Sequence, residues 1–158
     1  MLELSVAMVV VSVLAATMLQ RLSYVREYAE KVTMELMISN FRTALRVKVG
    51  ELLIADRTDE ISTLTGANPA EWLERRPGNY LGTLTVAPGV VADGQWYFNA
   101  VSRELVYTAN LRSQFVSGPN SGYTVRLKVQ PIATASEATS QGQPIWVKLA
   151  ITDDYTWF

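Results

Sequence analysis

The sequence predicts an α+β fold: one long N-terminal helix, apolar in its first half and amphipathic in its second, packed on a C-terminal antiparallel sheet of four or five strands. Three observations lead there. Neither proline nor glycine interrupts the chain before Gly50, the apolar pattern changes character near Gln20, and beyond Gly78 the apolar residues fall into short runs bounded by turn formers.

From Leu4 to Leu19 the only polar residues are Ser5, Ser12 and Thr17, whose hydroxyls can return a hydrogen bond to their own helix. At 1.5 Å per residue, Met1 to Leu19 covers roughly 28 Å, the short end of what spans a bilayer. Past Gln20 the apolar positions Leu22, Val25, Ala29, Val32 and Leu36 keep a three-four spacing. It continues with a slip through Phe41, Leu45, Val49 and Leu52. Arg26, Glu27, Glu30, Lys31, Glu35 and Arg42 lie mostly elsewhere around the helix, so the apolar set is expected to face the core and the charged set to face water. Glu27 and Lys31 stand in the favourable i, i+4 order. Tyr24 and Tyr28 suit a membrane-water boundary. The helix is expected to end near Ile54, on the order of 80 Å from its start, with nothing from its own chain to cover its first half.

Asp56 to Tyr80 is polar and broken, apart from Asn68-Pro69 before AEWLER. A capping residue followed by proline at the first helical position predicts a short helix ending near Pro77-Gly78. The strand expectations are YLGTLTV, QWYFNA, ELVYTA, YTVRLKVQ and PIWVKLAIT. In the fourth, Val125, Leu127 and Val129 alternate with Arg126, Lys128 and Gln130. In the fifth, Ile145, Val147, Leu149 and Ile151 oppose Trp146, Lys148 and Ala150, giving one covered and one solvated face. VAPGVVADGQ, NAVSRE and FVSGPNSGY read as hairpin turns, and ATASEATSQGQP as an exposed loop. Tyr155, Trp157 and Phe158 either close the sheet's core or form a subunit contact.

The chain has 158 residues, enough for one domain and one anchor, divided as residues 1–21 for the apolar half-helix and 22–158 for the head. With a net charge of −1, no whole-chain field draws the protein to nucleic acid or to an anionic membrane surface, and a phosphate-binding partner is not suggested. Arg112, Arg126 and Lys128 make too short a run to change that. With no cysteine and no histidine, disulfides, thiolate nucleophiles, the commonest general base and the commonest transition-metal ligand are missing. Ser102 and Ser113 sit in no catalytic context, so no enzyme activity and no cofactor are expected. Asp153 and Asp154 are candidate calcium ligands by their oxygen chemistry, though adjacent acids of this kind are more often merely solvated.

Glu3 remains to be explained, since a carboxylate in an apolar segment is costly and normally has a partner. The sequence Leu2-Glu3-Leu4, followed by a Val- and Ala-rich span and a long amphipathic helix, resembles the N-terminus of type IV pilins and type II secretion pseudopilins over roughly the first fifty residues. In that family the mature segment reads like F-T-L-I-E-L after a prepilin peptidase cleaves the leader and methylates the new N-terminus. Met1-Leu2-Glu3-Leu4 matches its last four positions, which implies two residues and a basic leader ahead of Met1. Gln20 lies close to where many major pilins carry a kinking proline, and the paired cysteines of many major pilins are absent. Both departures favour a minor pilin or pseudopilin. The resemblance implies a single-pass inner-membrane protein with a periplasmic head. It would assemble with other pilin or pseudopilin subunits on an inner-membrane platform into a periplasmic pseudopilus or surface pilus. Glu3 would then pair with a neighbouring subunit's N-terminal amine. Without the family, Glu3 is simply an acid favoured by the dipole of the first turn.

Two rivals stand beside this. A cleaved signal peptide lacks its basic start, and the amphipathic pattern runs straight on from the apolar one. A single-pass anchored sensor with a ligand-binding periplasmic head is the other. Arg21 and Arg26 oppose a periplasmic head by the positive-inside rule, unless a basic leader precedes Met1.

Overall fold

The computed structural model describes residues 2–85, 91–118, 122–132 and 146–158. Helix α1 runs unbroken from Leu2 to Ile54, as the absence of breakers predicts. It is long and apolar enough to cross a membrane, and none of its apolar window is buried. The fold is α+β: α1 packs on a sheet built from β1 (Tyr80–Leu84), β2 (Trp96–Asn99), β3 (Glu104–Thr108), β5 (Thr124–Pro131) and β6 (Val147–Ile151), in the order β1-β2-β3-β5-β6. A separate ribbon pairs β4 (Phe115–Ser117) with β7 (Tyr155–Trp157).

The sheet is mixed, which corrects the antiparallel expectation. β1 runs parallel to β2, with a register shift between Tyr80 and Thr83, while the other neighbours are antiparallel. Pro-Gly and Asp-Gly in VAPGVVADGQ favour turns, but residues 85–95 are about as long as the shortest parallel crossovers. Trp96 N–H donates to the Asn79 carbonyl at 2.8 Å and Ala100 N–H to the Leu84 carbonyl at 2.9 Å, bracketing the parallel pair. The NAVSRE hairpin forms between β2 and β3, where the Asn99 side chain accepts from Val101 N–H at 2.9 Å and Arg103 takes a left-handed φ of 55°. The first and third expected turns in part, the loop ATASEATSQGQP, Ile145 and Met1 lie outside the described residues.

Asn68 caps a short helix as expected, accepting from Ala70 N–H at 3.1 Å. That helix is of the 3-10 type and covers only Pro69–Trp72, because Leu73 is already extended at ψ 132°. A second 3-10 helix, Thr58–Leu64, occupies the stretch read as broken and buries Ile61 and Leu64.

The core lies between the second half of α1 and the inner face of the sheet. Met34, Ile38, Phe41, Leu45, Val49 and Leu52 meet Trp96, Phe98, Leu105, Tyr107, Val125, Leu127, Val129, Val147 and Leu149. Phe41 packs edge-on against Trp96 at 5.2 Å, and Trp96 lies 4.8 Å from Tyr107. The alternation in β5 and in Val147 and Leu149 of β6 holds. Ile151 and Trp146 stay partly in solvent.

The face of α1 is reversed over residues 22–36. Leu22, Val25, Ala29, Val32 and Leu36, expected against the core, are all exposed, Leu36 at 61 %. Glu27, expected in water, is 2 % exposed. The core-facing line, Met34-Ile38-Phe41-Leu45-Val49-Leu52, projects back one and two turns onto Glu30 and Glu27 rather than onto the apolar set. The helix therefore carries an apolar line opposite its head, and two acids point inward.

Candidate functional site

Every residue from Glu3 to Arg26 is exposed, so this length of α1 is presented to its surroundings all round. Ser12, Thr17 and Ser23 return their hydroxyls to the carbonyls of Met8, Leu14 and Leu19, leaving the backbone helical and the surface apolar. Glu3 stands in the first turn of α1 and makes no ion pair among the described residues.

Beyond Arg26 the surface divides. At 3.6 residues per turn, Leu22, Val25, Ala29, Val32, Leu36 and Val47 fall on one side, away from the core line. Exposed Asn40 and Thr43 interrupt that stripe between Leu36 and Val47. Near its end an open groove of about 660 Å³ separates α1 from Trp72, Leu73, Arg75 and Arg76.

On the opposite side two carboxylates hold the head to the helix. Glu27 accepts from Gln114 N–H at 2.8 Å and from the Trp157 indole N–H at 3.0 Å through one oxygen, and from the Ser113 hydroxyl through the other. Glu30 accepts from the Tyr107 hydroxyl at 2.8 Å, Asn110 N–H at 2.7 Å and Leu111 N–H at 3.0 Å. One helical turn thus satisfies backbone donors of the segment between β3 and β4, and ties β7 to the same place. Burial pushes the Glu27 carboxyl up, but the hydrogen bonds from Ser113, Gln114 and Trp157 outweigh it and hold the group below the usual glutamate range. Burial and the Glu30 carboxylate push the Tyr107 phenol well up. Lys31, expected to pair with Glu27, stands 3.8 Å from Glu35 instead because Glu27 is turned into the head.

The tail completes this lower edge. Trp157 is buried, Tyr155 stacks on Phe115 at 5.7 Å, and Phe158 sets its ring edge-on to Tyr24 at 5.0 Å and Tyr28 at 5.8 Å. Closure therefore describes Tyr155 and Trp157, while Phe158 stays 38 % exposed.

The remaining sequence candidates have ordinary neighbours. Asp153 lies 3.3 Å from Arg126, Asp154 is exposed, and the described residues hold no cluster of three or more metal-ligating side chains. Arg112 pairs with Asp93 and stacks over Tyr123, and Lys128 donates to the Ser102 carbonyl at 3.0 Å. Glu27 and Glu30 are the residues whose inward role the sequence reading missed. The available signal was the buried indole N–H of Trp157, which needs an acceptor.

No protein-family model, curated protein or solved structure matches the chain.

Proposed function

We propose that the chain is a structural subunit of the minor pilin or pseudopilin kind, held in a bacterial inner membrane by the first half of α1 and assembled through that helix into a type IV pilus or type II secretion filament. One observation carries the reading: the apolar surface does not stop where a span would stop. It continues as Leu22, Val25, Ala29, Val32 and Leu36 on the side of α1 turned away from its own head. A helix serving only as an anchor gains nothing from a solvent-facing apolar line beyond the bilayer. A helix that leaves lipid to pack among other helices buries it. Glu3 fits the same account, since a neighbour's amine would offset the cost of a carboxylate in an apolar filament core and fix the register.

The test is Glu3→Leu, compared with Glu3→Ala, scored by shearing cells and quantifying the subunit in the released filament fraction and in the membrane. The expected result is unchanged membrane insertion with at least roughly a hundredfold loss from filaments, since stranding the partner amine costs about 3 to 5 kcal/mol. Unchanged incorporation of both variants sinks the assembly role of Glu3. The groove beside Trp72, Arg75 and Arg76 favours a second reading, an anchored ligand-binding head. That reading requires a ligand-dependent rise in melting temperature that Arg75→Ala abolishes.

A further inference from the structure

We propose that the head itself seats on the membrane surface, through a collar of Tyr24, Tyr28 and Phe158 flanked by Arg21 and Lys31, whose partner is the headgroup layer of an anionic bilayer. This rests on reading the apolar half of α1 as membrane-embedded. Tyr24 lies roughly 7 Å along the helix from Leu19, and the headgroup layer is about 5 to 8 Å deep, so the first ring falls within it. The Tyr28 backbone stands about 6 Å further out, beyond that depth, and its ring reaches back toward the layer through the N-terminal tilt of helical side chains.

What the fold adds is Phe158. β7 descends α1 until Trp157 meets Glu27, and Phe158 closes on the two tyrosines. The globular part thereby reaches the first turns beyond the span instead of standing off on a bare stalk. Tyr24 and Tyr28 remain 54 % and 51 % exposed, and amphipathic rings of this kind favour the headgroup level. The charge at this height is one-sided. Glu27 and Glu30 are turned inward and satisfied by the head, whereas Arg21 and Arg26 are exposed; the Lys31 ammonium, 5.8 Å from the Phe158 ring centre, also stands 3.8 Å from Glu35, so the cations next to the span are Arg21 and Arg26. Cations just beyond a span are drawn to anionic lipid. On the helical wheel the collar borders the Leu22–Leu36 stripe, Tyr28 standing next to Val25 and Val32, so lipid meets the collar beside the stripe rather than opposite it.

The chain has no cysteine, which allows single-site labelling of the full-length protein. An environment-sensitive fluorophore is placed in turn at Val11→Cys, Val101→Cys, Thr156→Cys and Phe158→Cys, in vesicles of phosphatidylethanolamine and phosphatidylglycerol carrying a nitroxide on either the acyl chain or the headgroup. Val11 is expected to be quenched by the acyl-chain nitroxide. Position 158, and position 156 with Phe158 intact, should be quenched by the headgroup nitroxide at least roughly twofold more than Val101 in the β2–β3 turn, and replacing phosphatidylglycerol by phosphatidylcholine should shrink that difference. Equal headgroup quenching at 158, 156 and 101 with Val11 quenched overturns the seated head and leaves the span standing. An unquenched Val11 overturns both. Self-quenching at 158 that rises with protein density, without headgroup quenching, assigns the collar to a second copy and also overturns the proposal.

Discussion

Glu27 shows how one residue can decide the orientation of an element. Its carboxylate meets Gln114, Ser113 and Trp157, and Glu30 one turn later meets Tyr107, Asn110 and Leu111. Hydrogen bonds to a charged acceptor contribute about 1.5 to 3 kcal/mol each, and leaving a buried donor without its acceptor costs about 1 to 3 kcal/mol. Glu27→Ala should therefore destabilise the protein by about 3 kcal/mol or more in denaturant unfolding, whereas the exposed Glu35→Ala should change it by less than about 0.5 kcal/mol. The folded-state pKa of Glu27 is depressed, so its contribution is complete above the ordinary glutamate value of 4.5 and lost as pH falls through the lower folded value. Acid unfolding of the wild type should show that loss, and in Glu27→Gln the corresponding part of the pH dependence should be gone. The sequence displays Glu27 and Glu30 but not their donors, which arrive from more than seventy positions away. Glu3, by contrast, stood out locally because everything around it is apolar.

At the scale of elements, α1 was legible in extent and not in phase. Its length follows from the absence of breakers before Gly50, and Leu2–Ile54 is the result. Periodicity locates an apolar stripe but does not say which surface covers it. In Phe41, Leu45, Val49 and Leu52 the cover is the sheet, and for the stripe from Leu22 to Leu36 it is nothing among the described residues. The two regions should respond differently to substitution. Phe41→Ala should cost about 3 to 5 kcal/mol by leaving a cavity against Trp96. Leu36→Asp should leave the thermal unfolding of the protein nearly unchanged, within about 0.5 kcal/mol, while lowering its recovery in sheared filaments. A Leu36→Asp variant that unfolds early would place that residue in an internal core after all. The β4–β7 ribbon escaped notice because FVS is flanked by Gly and Pro, and YTW follows two acids, so neither resembles an ordinary strand. Each is held by aromatic contacts made only in the folded state, Phe115 with Tyr155 and Trp157.

The whole molecule joins a half-helix exposed all round to a head whose own core is closed. A soluble fragment beginning at Arg26 keeps Glu27, Glu30, the core line of α1 and the entire sheet, so it should fold and run as a monomer at micromolar concentration by light scattering. An insoluble fragment, or a tight dimer, would show that the head depends on the removed residues. The central claim is that the outward line of α1 is an interface with other helices of its kind. A photo-crosslinking amino acid placed at Val32 or Leu36 tests it most directly in cells, with Arg46, exposed off the stripe, as the reference. The account predicts protein adducts at Val32 and Leu36, containing a second copy or another subunit with the same apolar helix, and few at Arg46. Absence of protein adducts at the stripe, or equal adducts at all three positions, would contradict it.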